Sequence, residues 1–457
     1  MNPLPRTTAV LLACAAAVAT AAVWVPAAAV AQEALPLAAA IDRALTGNVD
    51  LSVATARLQE AKATRAKITT AWLPNLQAIG SYTHNSVEAK FDSGRLITGV
   101  AQIVAPGIQI PASSLPPPSY IQKADQVAGV LQLDQTLFAL SPLLLAKAAD
   151  SGLAAQTAAL DAARREIVFQ ISQIYYNYAG VLRMMAVADR AIALADQRIA
   201  LVEQRQKAGA DSELALLRAQ AERDRAQLDR TRADATRRQL LVMLGALTGQ
   251  AAPAELAEPP TQTPPSGTPD TWLDEARGNR PDVTAREKSV LAAQQQVQEA
   301  QWRWVPTLSL QAQARWSNVA GFAGQNAVWL ATANLVVPLF DRGQRYADAK
   351  ERRATVLRAT AERDKLSADL QTALNQAQLD QQQAAEVLVI AQTQAARAKR
   401  TAAIVAASYA AGGTTSLEVA EADTQLRAAE SSVERERLQV DLAVLRLRHA
   451  LGLLTPP

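Results

Sequence analysis

The residues able to do chemistry are few and scattered. The 457-residue chain holds one cysteine, Cys14, and two histidines, His84 and His449. That inventory excludes a zinc site, an iron–sulfur site and a Cys/His nucleophile pair. No glycine-rich phosphate loop appears, and no Ser/His/Asp set with its local motif, so neither a catalytic site nor a cofactor is expected. With 46 basic and 43 acidic side chains the formal charge is +3, and no bulk field points to nucleic acid. Glu418 and Glu421, three residues apart, share one face of a helix. Taken alone such a pair is a solvated helix face. The question becomes what the elements around it build.

The N-terminus is an export signal in pattern. A basic stretch ends at Arg6, residues 7–31 are almost unbroken Ala, Val and Leu, and Ala29-Val30-Ala31 offers the small-x-small site of a signal peptidase. The expectation is a cleaved peptide over 1–31. The alternative is a lipoprotein, because Leu11-Leu12-Ala13-Cys14 resembles a lipobox, though only about seven apolar residues precede Cys14, the short end for a signal core. Cleavage after Ala31 leaves a mature chain without cysteine. No later stretch reaches the roughly 18 apolar residues of a membrane helix, so whatever spans a membrane here is not a helix.

Self-comparison shows two copies of one unit. Trp72-Leu73-Pro74 and Trp304-Val305-Pro306 lie 232 residues apart, and the same offset aligns Asn48-Val49-Asp50-Leu51 with Arg280-Pro281-Asp282-Val283. The segment 209–214 matches 412–417 at an offset of 203. Eleven of the 22 prolines fall in two short stretches, 106–118 and 253–269. The runs 143–252 and 339–455 are rich in Ala, Leu, Gln, Arg and Glu and almost free of proline, which reads as long helices. Ser141-Pro142 is the expected N-cap and first position of one, and Asp341 the cap of the other. Gly209 and Gly412 break each run into an antiparallel hairpin, with Asp211-Ser212 and Thr414-Thr415 as caps for the returning helices. Leu214, Leu217, Ala221, Leu228, Leu240, Leu241 and Leu244 form the expected packing stripe. If Gly245 and Gly452 are equivalent ends, the second copy carries four extra residues, the size of a stutter.

Between the helices the period becomes 2. Residues 307–316 alternate without error, with 73–84, 129–138 and 328–339 as further candidate strands. Trp72, Trp304, Trp316 and Trp329 fall near their ends, as interfacial aromatics do in outer-membrane barrels. A soluble sandwich alternates in the same way. Four strands cannot close a membrane barrel, since an open edge leaves backbone groups unsatisfied in lipid, so closure requires several chains.

Together these residues resemble the TolC-type outer-membrane efflux channels. The likeness rests on the tandem unit, on Trp72-Leu73-Pro74 and Trp304-Val305-Pro306, on Asn279-Arg280-Pro281-Asp282-Val283, on the run from Val337 to Gly343, and on the turns at Gly209 and Gly412. It implies a mainly α chain with a transmembrane β-barrel portion: a coiled-coil α-helical barrel plus four strands per chain, closed as a twelve-stranded barrel in a homotrimer. Signal peptide 1–31, first repeat 32–250, proline-rich equatorial linker 251–271 and second repeat 272–457 are the expected parts. The implied function is an outer-membrane exit duct of a tripartite efflux or type I secretion system, exporting drugs, metal ions or proteins. Its implied partners are a periplasmic adaptor, an inner-membrane transporter of RND, ABC or MFS type, and outer-membrane lipid. The insertion 87–120 becomes an extracellular loop; on residue types alone it and the linker are equally plain connectors. By the same resemblance Gly209, Ala210, Asp211, Ser212, Gly412, Gly413, Thr414 and Thr415 form the adaptor-contacting tips, while Tyr409, Glu418 and Glu421 form the periplasmic gate. The sequence departs from the family where the acid expected to meet that tyrosine is Ala215 and a basic residue is Thr414, which leaves open how the gate is held closed. The alternative function is a soluble periplasmic coiled-coil adaptor or scaffold; a secreted enzyme is disfavoured by the residue inventory.

Overall fold

The computed structural model describes residues 34–320 and 324–455. The expected signal peptide and Cys14 lie outside the described residues. The first copy runs α1 (Leu37–Gly47), α2 (Val49–Thr69), β1 (Asn75–His84), β2 (Ala89–Phe91), α3 (Ser93–Val104), β3 (Ser119–Gln122), β4 (Asp125–Phe138), α4 (Leu140–Lys207) and α5 (Glu213–Thr248). The second runs α6 (Pro269–Asn279), α7 (Pro281–Gln301), β5 (Thr307–Ser317), β6 (Ala327–Val336), α8 (Gln344–Ala410) and α9 (Ser416–Ala450). Helices α4 and α8 have 68 and 67 residues, each about 100 Å long at 1.5 Å per residue. Among the described residues no helix is long and apolar enough to cross a membrane.

The two copies are equivalent at the level of contacts. In the first, Asn48 caps α2 through Asp50 N and Leu51 N and donates from its amide to Leu247 O. In the second, Arg280 donates to Ala450 O and pairs with Asp282 at 2.6 Å. The returning helices end at Gly249 (φ 66°) and Gly452 (φ 72°), which are 203 residues apart like the tip turns. The expected four-residue insertion is therefore absent. Gly245 lies inside α5, and a Cβ there would meet Gln250 O at 3.0 Å. It is a close-approach glycine, and Gly249 is the left-handed C-cap. A phase slip occurs instead within α8. Its buried residues step by seven through Leu370, Ala377, Ala384 and Ala391, then by eleven to Ala402, then by seven to Tyr409. An added four residues of this kind locally unwinds a coiled coil.

Two of the expected caps are replaced. Helix α4 begins at Leu140 with Ala139 as its cap residue, and Ser141 donates its hydroxyl to Glu299. Pro142 is then in the first turn, where a missing N–H leaves no intrahelical bond unmade. Ser212 occupies the cap position of α5 without a side-chain bond. At the start of α8 the cap position is Gly343, and Asp341, two residues before it, accepts from Gly343 N and Arg345 N, both at 3.1 Å. Thr415 caps α9, in a capping box with Glu418.

Cores are concentrated away from the sheet. One gathers Ile41, Leu51, Ile171, Tyr175, Tyr178 and Leu244 around α1, α2, α4 and α5; a second gathers Trp272, Leu370, Leu374, Leu447 and Leu451. The linker is fixed to the first. Leu35 and Leu256 pair as an isolated parallel bridge, Tyr175 donates to Leu35 O at 2.8 Å, and Tyr176 donates to Pro260 O at 2.7 Å. The long insertion is also built. Strands β2 and β3 pair antiparallel, α3 follows β2, and Leu115 packs on Gly94.

Candidate functional site: the two-faced sheet and the hairpin tips

Four strands form one antiparallel sheet in the order β1-β4-β5-β6, so β1 and β6 are its open edges. Register decides the chemistry of each face. On one side the cross-strand rows are Leu76–Leu133–Ala312–Ala331, Ala78–Leu131–Ala314–Trp329 and Gly80–Gly129–Trp316–Ala327. On the other they are Asn75–Asp134–Gln311–Thr332, Gln77–Gln132–Gln313–Leu330 and Ile79–Val130–Arg315–Val328. Gln313 donates to Gln132, which donates to Asp134 at 2.8 Å, a chain of amides across the polar side. One face is thus apolar, the other largely polar.

Aromatics bracket the apolar face. Trp316 (48% exposed) and Trp329 (81%) lie in its outer rows, with Tyr82 beyond them. Trp72 and Trp304 stand in the turns that lead into β1 and β5 at the end nearer the long helices, where Trp304 stacks on Trp302 with centroids 5.8 Å apart. The four predicted tryptophans therefore divide between the two ends of the sheet.

At the far end of the hairpins both turns have the same geometry. Gly209 (φ 74°) donates to Gln206 O and Ala210 to Arg205 O; Gly412 (φ 82°) donates to Tyr409 O and Gly413 to Ser408 O. These are the crossed bonds of a helix ended by a left-handed glycine. Gly209, Ala210, Ser212, Gly412, Gly413 and Thr415 are exposed. Thr414 is half-buried, its hydroxyl 3.4 Å from Val405 O. Asp211 turns inward.

Tyr409 is 1% exposed, and its hydroxyl donates to Asp211. Arg205 completes the cluster. Its Nε is 3.0 Å from the Asp211 carboxylate, its Nη1 donates to Tyr409 O at 3.1 Å, and its guanidinium lies 4.6 Å over the Tyr409 ring. Burial, followed by the Asp211 bond, pushes the Tyr409 hydroxyl up to about 12, so it remains a donor. The acid that meets the tyrosine is thus two residues after the glycine, where the resemblance expected it six after. Ala215, at that sixth position, is buried with Val202, Tyr409 and Val419. The cluster ties the first hairpin to the second within one chain. Behind it a cavity of about 120 Å³ is lined by Leu194, Val202, Val419 and Leu426 and by the Arg198–Asp423 pair.

Glu418 and Glu421 are both exposed on α9. The Glu418 carboxylate accepts from Thr415 N at 2.8 Å, so it caps its helix. The packing stripe is half correct. Leu241 and Leu244 are buried, but Leu214 (53% exposed), Leu217 (54%) and Leu228 (48%) face outward.

Sequence reasoning missed a ladder between the hairpins. Arg183, Arg190, Arg198 and Arg205 recur on α4 at steps of seven, eight and seven. The first three meet Asp441, Glu430 and Asp423 of α9 at 3.0, 3.6 and 2.9 Å. His84 bonds Asp125 at one sheet end, and His449 stacks on Phe169 with ring centroids 4.0 Å apart. No group of three or more potential metal-ligating side chains occurs among the described residues.

A sheet with one lipid-compatible face, carried on helices of 68 and 67 residues, defines an outer-membrane channel subunit. The chain belongs to the outer membrane efflux protein family, whose profile matches residues 40–250 and 272–453. Its fold is that of solved outer-membrane channels. VceC of Vibrio cholerae is 22% identical with a TM-score of 0.74, the match covering 91% of this chain and 96% of that one. MtrE of Neisseria gonorrhoeae, 19% identical, gives 0.72 over 91% and 88% of the two chains. CmeC of Campylobacter jejuni, 18% identical, gives 0.72 over 91% and 85%. No curated protein sequence matches. The protein is accordingly an outer-membrane exit duct for efflux, a passive channel and not an enzyme.

Proposed function

We propose that three copies close into a tube: a twelve-stranded barrel in the outer membrane continuous with a helical barrel crossing the periplasm. The observation that carries this is the pair of open edges. Strands β1 and β6 end the sheet, and an unpaired edge is not tolerated in lipid. The helical layer is unfinished in the same sense. Leu214, Ala221, Leu228, Ala235 and Val242 recur on α5 at steps of exactly one heptad, and the three large ones are exposed, which is a coiled-coil seam without its partner. On α8, Leu357, Leu379, Ile390 and Ile404 are likewise exposed.

In this reading the segment 85–124 and the ends of β5 and β6 away from the long helices face outside the cell, and the Gly209 and Gly412 turns face a periplasmic adaptor beneath which an inner-membrane transporter sits. An RND, ABC or MFS pump, in drug efflux or type I secretion, fits equally. Residues 1–31 are removed on export. Glu418 and Glu421, six carboxylates in a trimer, make the mouth favour cations. Replacing both by alanine should lower cation selectivity in bilayer conductance, and unchanged selectivity would reject the acidic mouth.

The test of the duct itself is fractionation. The mature protein should be extracted by detergent from the outer membrane as a trimer that conducts ions in planar bilayers. Recovery as a soluble periplasmic monomer would overturn the proposal.

A further inference from the structure

The polar face of the sheet carries one isolated cation. Arg315 lies on it in a row otherwise made of Ile79, Val130 and Val328. Its side chain is exposed and forms no ion pair or hydrogen bond with the described residues. The acid of the same face is differently placed. Asp134 is one end of the amide chain through Gln132 and Gln313 and is half-buried, four residues along β4 from Val130, the register partner of Arg315.

We infer that Arg315 forms a threefold guanidinium ring inside the exit barrel, a second selectivity element that engages anionic groups of passing solutes such as carboxylates, phosphates or sulfonates. The inference rests on the trimeric duct proposed above and adds the chemistry of its outer half. Twelve strands about 4.8 Å apart, tilted about 40°, make a wall about 24 Å across. An extended arginine reaches about 7 Å inward, so three of them leave an opening of about 10 Å. Guanidinium groups on that circle are about 9 Å apart, close to the Debye length of about 10 Å at 0.1 M salt, and their fields overlap over the whole opening. Guanidinium is also the side chain whose planar donors match carboxylate and phosphate oxygens in pairs. Asp134 does not cancel the ring. Four residues along β4 put Asp134 about 13 Å from the register partner of Arg315, more than that screening length.

The inference is tested with the full-length trimer in planar bilayers under a KCl gradient. In the background Glu418→Gln with Glu421→Gln, so that the mouth is silent, Arg315→Gln should raise the ratio of potassium to chloride permeability by roughly threefold or more at 0.1 M salt. Arg315→Glu should raise it further, and both effects should shrink at 1 M salt, where the Debye length is about 3 Å. Arg315→Lys, which keeps the charge, should leave the ratio near that of the parent. A trimer that conducts with a ratio unmoved by Arg315→Gln overturns the ring while leaving the duct intact, and so does a lysine variant that behaves like the glutamine one. Absence of any conducting trimer from the parent chain overturns the duct, and the ring with it.

Discussion

Tyr409 and Asp211 come from different copies of the repeat and meet at the tip of one chain, where Arg205 holds both. A buried hydroxyl bonded to a carboxylate contributes about 1.5–3 kcal/mol, a large share of the difference between two states of a gate. Tyr409→Phe removes the donor and leaves Arg205 paired with Asp211, whereas Asp211→Ala leaves the guanidinium without its carboxylate. Both variants should raise the conductance of the trimer, with Asp211→Ala giving the larger rise; equal conductance to the parent in both would remove the cluster from the gate. The displaced acid explains why the sequence left the gate unresolved. Tyr409 was legible by its place before the glycine, but a tight turn brings position +2 as close to it as a helix brings position +6, and spacing alone does not choose.

His449 gives a second prediction at this scale. Burial lowers its pKa below 6.5, with Arg280 adding to that and Glu166 and Asp282 opposing it. The folded chain therefore prefers the neutral ring. That stability is fully present above pH 6.5 and is lost as pH falls toward the folded value. The thermal midpoint should drop on acidification below pH 6.5, and His449→Phe, which preserves a stack on Phe169, should flatten the drop. An identical acid slope in the variant would show that other groups carry it. Nothing in the residue pattern points to this environment, because an isolated histidine near a helix end is usually solvent-facing.

Among elements, the joint between the two hairpins combines ion pairs with the apolar cluster of Tyr176, Leu442 and Leu445. Helices α4 and α9 meet through Arg183, Arg190 and Arg198 and their acidic partners. The Arg198–Asp423 side chains are 17% and 13% exposed and the Arg190–Glu430 side chains 60% and 30%, so the first pair outweighs the second. Replacing Arg198 by Ala should increase amide hydrogen exchange along the tip-side halves of α4 and α9, while Arg190→Ala should have little effect. Similar exchange in both variants would mean that the pairs are incidental. Long helices and strands were readable because alternation, proline placement and the repeat agree. Individual joints were harder to read. Two glycines four residues apart, Gly245 and Gly249, look alike in sequence, yet one admits a neighbouring backbone and the other supplies a positive φ. Ser141 reads as a cap until Glu299, 158 residues away, claims its hydroxyl.

In the proposed assembly the whole molecule is a third of an object. The unfinished α5 seam is apolar at Leu228, which is 48% exposed in the single chain and so contributes little to the chain's own stability. A charge there should act almost entirely on assembly. Leu228→Asp placed in all three seams should reduce the yield of trimer on native gels while the helical circular dichroism of the extracted chain stays near that of the parent. Loss of helicity in parallel with loss of trimer would mean instead that α5 depends on neighbours within its own chain at this position. The same logic explains the mixed success of the stripe read from sequence: Leu241 and Leu244 face the first core, whereas Leu214, Leu217 and Leu228 lie exposed where a single chain offers them no cover. Apolar periodicity identifies a surface that must be covered, and only the arrangement of helices says whether the cover comes from the same chain or from the next.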